Sequence, residues 1–156
     1  MLAVRSVIGR HFTKEADMPK IENCSWEDFL RGNHKLSPID TVAIQITDPC
    51  DVPPEPAEDA FVSRHSFQFL DAEEPTRFFP EEKLISDEQA EEIASILVKA
   101  LENDHDVLVH CVVGVCRSGA VVEVAQMIGF DECFRYRQPN IRVKQKLMQA
   151  LDLHFV

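Results

Sequence analysis

His110-Cys111-Val112-Val113-Gly114-Val115-Cys116-Arg117-Ser118-Gly119 is the stretch whose reading decides the fold. A short apolar run, Asp106-Val107-Leu108-Val109, leads into Cys111, and a helical pattern opens at Arg117-Ser118. That spacing predicts a buried strand, a tight loop and a helix in succession. If Val112, Val113, Gly114, Val115 and Cys116 wrap into the loop, their backbone N–H groups converge at a helix N-terminus and form an anion site. The same field favours the thiolate of Cys111, a nucleophile. Arg117 offers a planar fork for two oxygens of a phosphoryl group, which a Lys cannot do. Ser118 places a hydroxyl where it can bond the sulfur, and Gly114 allows the backbone angles of a tight loop. The plain alternative is a small buried Cys beside a surface Arg, which leaves the coincidence of Cys, Gly, Arg and Ser unexplained.

In these residues the chain resembles the cysteine-dependent protein tyrosine and dual-specificity phosphatases. Their His-Cys-x5-Arg-Ser/Thr signature is matched at His110, Cys111, Arg117 and Ser118. The resemblance implies a phosphomonoester hydrolase acting on phosphotyrosine, and on phosphoserine or phosphothreonine, in a phosphoprotein or phosphopeptide substrate. It implies attack of Cys111 on phosphorus and hydrolysis of a phosphocysteine intermediate, without metal or other cofactor. It also implies a phosphate or other oxyanion held by residues 112-116 and Arg117, and a His110 that supports the loop and is not a base. An Asp general acid on an upstream loop belongs to the same pattern. Asp71, directly after an apolar run, fits the dual-specificity branch; Glu73 and Glu74 are rivals, and solvated loop charges are the plain alternative. Arg137-Gln138-Pro139-Asn140 resembles a segment that packs near the signature loop in that branch, although a helix cap explains Pro139 and Asn140 equally well.

Two departures from the pattern matter. The positions between Cys111 and Arg117 hold no Lys or His, which disfavours the inositol lipid phosphatases of the superfamily. Cys116 replaces a common Ser. The low-molecular-weight tyrosine phosphatases share Cys-x4-Cys-Arg-Ser but carry it near the amino terminus, so chain order rejects their fold and keeps the chemistry. Cys111 and Cys116 stand at the two ends of a compact loop, within reach of a disulfide, and Cys116 is a candidate redox partner for an oxidised Cys111. A small loop residue facing the core is the equal alternative.

The 156 residues predict a single domain over 1-156. Apolar content of 45% and charged content of 28% suit a globular chain with a full core. A net charge of −11 argues against nucleic acid and anionic membrane as partners, since both want a basic surface. Five cysteines at irregular spacing do not form a secreted disulfide framework, and a reducing, cytoplasmic location is expected. The amino terminus is interrupted by charge too often for a signal-peptide core, and no run is long enough for a membrane span. No Cys-x2-Cys pair appears, so a structural zinc site is not expected.

Outward from the signature, Leu2 to Ile8 reads as an edge strand and Ser25 to Leu30 as a short capped helix closing near Gly32, with Trp26 as a core anchor. Thr41 to Ile46 and Phe61 to Leu70 read as strands, separated by an exposed Pro-rich acidic loop over 51-60. Ser86-Asp87-Glu88-Gln89 is a capping box for a helix running to Leu101. An apolar helix follows the signature and stops at Gly129, 131-138 is a connector, and a last helix spans Ile141 to Leu153 with Val143, Leu147, Ala150 and Leu151 inward. Strands alternating with helices predict an α/β domain, a central mostly parallel sheet flanked by helices, of the dual-specificity phosphatase type. Ligands in such sheets bind beyond the carboxyl ends of strands, where Cys111 and Asp71 both fall. Two other functions compete: a catalytically weak phosphoprotein-binding module, and an RNA 5′-phosphatase, against which the acidic charge counts.

Overall fold

A computed structural model of the protein describes residues 18-56 and 60-153. Five strands, β1 (Lys20–Ser25), β2 (Thr41–Thr47), β3 (Ser63–Gln68), β4 (Asp106–Cys111) and β5 (Asp131–Glu132), form one sheet in the order β3-β2-β4-β1-β5. Every pairing is parallel. The expected mostly parallel sheet is therefore parallel throughout among the described residues; α1 (Trp26–Arg31) joins β1 to β2, α2 (Asp87–Glu102) joins β3 to β4 and α3 (Arg117–Met127) joins β4 to β5, whereas the described residues between β2 and β3 hold no helix, and α4 (Ile141–Ala150) follows β5.

Side-chain alternation along the strands builds two cores. Val42, Ile44, Ile46, Val107 and Val109 face the larger one, where Ile93, Leu97, Val121, Val124 and Leu147 of α2, α3 and α4 cover them. Ala43, Leu108 and Cys24 face the smaller one, sealed by Phe29 of α1 and by Leu36. Both faces are thus covered, as an all-parallel sheet requires. The predicted boundaries hold where local chemistry is strong. Ser25 caps α1 through Asp28 N and Gly32 ends it at φ 70°, while Ser86 and Gln89 form a reciprocal capping box on α2.

Several expectations need correction. Trp26 is half-buried at the first position of α1, with its ring 6.4 Å from that of His110, and Phe29 is the core anchor. The loop after β2 is not wholly exposed, because Pro54 is buried and its carbonyl accepts from Gln45 Nε2 at 2.8 Å. The last helix ends at Ala150, since Asp152 turns left-handed at φ 54° and the N–H groups of Leu153 and Asp152 close back on Met148 O and Gln149 O. Ala150 is exposed there and Met148 is buried. Part of the supposed connector is β5, whose ladder to β1 includes Asp131 N to Pro19 O and Cys133 N to Ile21 O. The expected strand over Leu2 to Ile8 lies outside the described residues.

Sequence reading misses β1 altogether, although it is interior to the sheet between β4 and β5. Its residues, Lys-Ile-Glu-Asn-Cys-Ser, lack the apolar run of a buried strand because Glu22 and Asn23 make tertiary bonds. The Glu22 side chain is 0% exposed and accepts from Arg135 Nε at 2.8 Å and from Lys35 N at 2.9 Å. Arg135 also bonds Asp28 and Asn33 O, which pins the segment after β5 over the smaller core.

Removing Arg135 alone strands a buried carboxylate. Arg135→Met is expected to lose about 3–5 kcal/mol of stability, and the Glu22→Gln/Arg135→Met pair to regain much of it. Urea unfolding midpoints of the two variants check this.

Candidate active site

The loop over residues 112-116 leaves the carboxyl end of β4 and enters α3 at Arg117. Its carbonyls are tied to the surrounding scaffold. Val112 O accepts from Trp26 N at 3.2 Å, Gly114 O from Asn23 Nδ2 at 2.8 Å, Val115 O from Gln138 N at 3.2 Å and Cys116 O from Asn140 N at 2.9 Å. In a planar trans peptide the next N–H points opposite to the carbonyl. The N–H groups of Val113, Val115, Cys116 and Arg117 therefore turn to the inner side of the curl. Gly114 N–H is also directed inward, onto Cys111 Sγ at 3.2 Å.

Gly114 makes this curl possible for two reasons. Its φ is 82°, and a Cβ on it would lie 2.4 Å from the backbone of Cys24 and Ser25. Helix α3 adds to the inward field, because its N-cap residue Cys116 makes no side-chain cap bond and its first turn holds no acid.

Cys111 is 2% exposed, and its sulfur lies 3.2 Å from Ser118 Oγ. Cys111, Ser118 and the loop amides thus converge as the spacing predicts. Arg117 is 4% exposed, and its Nη1 donates to Asp48 Oδ1 and to Phe69 O, both at 2.7 Å. With Nη1 held, the opposite edge of the guanidinium, Nε with Nη2, is the fork that remains, and the buried Nε has no partner. A buried donor without an acceptor is costly unless something is meant to fill it. The chemical fit is an oxyanion bound side-on by this edge and by the amides.

Asp71 is exposed at the start of the segment after β3. Its Oδ1 accepts from Asn140 Nδ2 at 2.7 Å, and Asn140 N in turn donates to Cys116 O, so Asp71 stands at the lip of the loop. Its rivals stand differently. Glu73 Oε2 accepts from Ile141 N at 2.6 Å and is committed to the first turn of α4, whereas Glu74 is simply exposed. Asn140 combines both expected roles, for its Oδ1 caps α4 through Val143 N while its N–H holds Cys116 O.

Burial, with Asp71 and Cys111 nearby, pushes the Cys116 thiol up. Burial also raises Cys24, to about 12, and Cys133. All five cysteines are free. His110 is buried with its Nε2 3.3 Å from Gln45 Nε2, and burial pushes its pKa down to about 4, so it is neutral at pH 7. Its ring packs against those of Trp26 and Phe29. Among the described residues no three His, Cys, Asp or Glu side chains gather as a metal-binding group, and no helix is long and apolar enough to cross a membrane.

Two residues of the candidate site escape sequence reading. Asp48 has no local partner that marks it, yet an acid at the carboxyl end of a buried parallel strand is suitably placed to meet the Arg. Asn23, which bonds both Gly114 O and Tyr136 O, is hidden with the polar strand that carries it.

His110 also sets a pH dependence. Its folded pKa lies below the ordinary 6.5, so the unfolded chain binds the extra proton as pH falls from 6.5 towards 4, and stability drops across that window. The expected loss is about 3 kcal/mol, and it should vanish from the unfolding profile of His110→Asn relative to wild type.

No protein-family model matches the chain, and no curated protein matches it either.

Proposed function

We propose that the protein is a cysteine-dependent phosphomonoester hydrolase of the protein tyrosine and dual-specificity phosphatase type, acting on phosphoproteins. One observation carries the reading: a buried Arg117 with an unfilled Nε beside inward-turned amides, above a cysteine that two hydrogen-bonding groups address.

In this mechanism the phosphoryl oxygens lie against the Nε–Nη2 edge of Arg117 and the N–H groups of the loop. Cys111 Sγ attacks phosphorus, the P–S bond forms and the P–O bond to the leaving group breaks. Asp71, as general acid, gives a proton to the departing oxygen. Water then attacks the phosphocysteine, Asp71 takes the proton from that water, and phosphate and the thiolate are released. Ser118 Oγ–H stabilises the sulfur as it leaves. Asp48 and Phe69 O act only by holding the guanidinium at a fixed angle. Five free cysteines agree with a reducing, cytoplasmic setting. A pure binding module is the weaker reading, because recognition alone has no use for a sulfur at the floor of the loop.

Hydrolysis of a small aryl phosphate is expected to proceed in the presence of a chelator and to be abolished in Cys111→Ser. Turnover that needs Mg²⁺, or that survives the substitution, would falsify the mechanism.

For Asp71→Asn the expected loss of kcat is about 10²-fold or more with poorly activated leaving groups and slight with activated aryl phosphates. A leaving-group series measures this, and an equal loss across it removes Asp71 from the role.

A further inference from the structure

The loop over 112-116 shares its end of the sheet with the chain that leaves β2 and β3. The described part of the first connection, residues 48-56, carries Asp48, Asp51 and Glu55 and no cation. The second, residues 69-86, carries five carboxylates against Arg77 and Lys83. Both connections touch the anion loop or its supports. Asp48 and Phe69 O hold Arg117, and Asp71 and Glu73 bond Asn140 and Ile141 N. Residues 81-83 lie beside them, since Leu70 N donates to Lys83 O at 2.7 Å.

Three of these carboxylates, Asp51, Glu74 and Glu82, are exposed and form no salt bridge among the described residues. On the side of these two connections the surround therefore opposes the floor in sign, while the cations of residues 134-142 on the other side are paired, Arg135 with Glu22 and Asp28, Arg137 with Glu123 and Glu132, and Arg142 with Glu81. The floor is built for one phosphoryl group, with Arg117 4% exposed and its Nε unpartnered. Beyond it stand these exposed carboxylates, whose charge acts over about the Debye length, ~8 Å in physiological salt. A ligand that satisfies both regions carries one phosphate and positive charge on either side of it. A ligand with further negative charge beside the phosphate meets the surround as repulsion, which is discrimination against a wrong partner.

We propose that this site selects phosphorylated peptide segments flanked by Lys or Arg, a substrate class that rests on the phosphatase reading above. The loop positions Val112, Val113 and Val115 add no cation of their own, so acidic flanks have no compensating contact there.

The test uses three matched phosphotyrosine peptides with Arg, Ala or Glu on both sides of the phosphorylated residue, and a small aryl phosphate as a substrate without flanks. Wild type and the triple variant Asp51→Asn/Glu74→Gln/Glu82→Gln are compared at low and high ionic strength. The expected order of kcat/KM is Arg over Ala over Glu, with about tenfold between the extremes at low salt and a much smaller gap at high salt. In the triple variant that gap closes by about half on a logarithmic scale, while turnover of the aryl phosphate is unchanged. Equal turnover of the three peptides by wild type, with the aryl phosphate hydrolysed normally, overturns the flank preference and leaves the phosphatase reading standing. A gap that persists undiminished in the triple variant overturns the assignment to these carboxylates. Failure to hydrolyse any substrate, the aryl phosphate included, overturns the phosphatase reading and this inference with it.

Discussion

A guanidinium that is 4% exposed has to be matched by acceptors, and the arrangement around Arg117 follows from that constraint. Asp48 comes from the end of β2 and Phe69 O from just beyond β3, so two neighbouring strands must end at the right height to meet one side chain. Those two acceptors occupy Nη1 and leave the Nε edge for a ligand. The charge is thus held firmly on one side and left unsatisfied on the other, an arrangement with a fixed direction that a flexible Lys would not give.

The loop follows the same logic with backbone groups. An isolated five-residue curl has no reason to keep its amides inward. Here α1, Asn23 of β1 and the segment before α4 each take a carbonyl, so the orientation of the donors is set from outside the curl. That organisation is built by the fold alone, and dipoles held in this way need no rearrangement to face a negative charge. The sulfur, the hydroxyl of Ser118 and the free guanidinium edge are consequently properties of the whole sheet end and not of the signature alone.

How much of this the sequence discloses depends on whether the determining interaction is local. The caps at Ser25, Ser86 and Asn140, the glycine at 114 and the apolar run of β4 are legible because the chemistry that fixes them lies within a few residues. The Cys, Ser and Arg of the signature are legible for the same reason. Strand β1 is not, since Glu22 and Asn23 are polar on account of Arg135 and Gly114, which are remote in the chain. Asp48 is hidden likewise: its partner stands 69 residues on. Trp26 misleads through its size, for a ring at the first position of a helix beside a loop cannot turn fully into the core.

The polarity of β1 has a further consequence during synthesis. Lys20 bonds Asp106 across 86 residues, and Asn23 reaches Gly114 across 91. An emerging chain therefore carries this strand unpaired on its β4 side until β4 itself has left the ribosome, and long-range parallel pairing is slow to form. An apolar strand waiting that long would be a template for association with other nascent chains. Lys-Ile-Glu-Asn-Cys-Ser is protected by its own charges, so the residues that later anchor the anion loop first serve to keep the unfinished molecule apart from its neighbours.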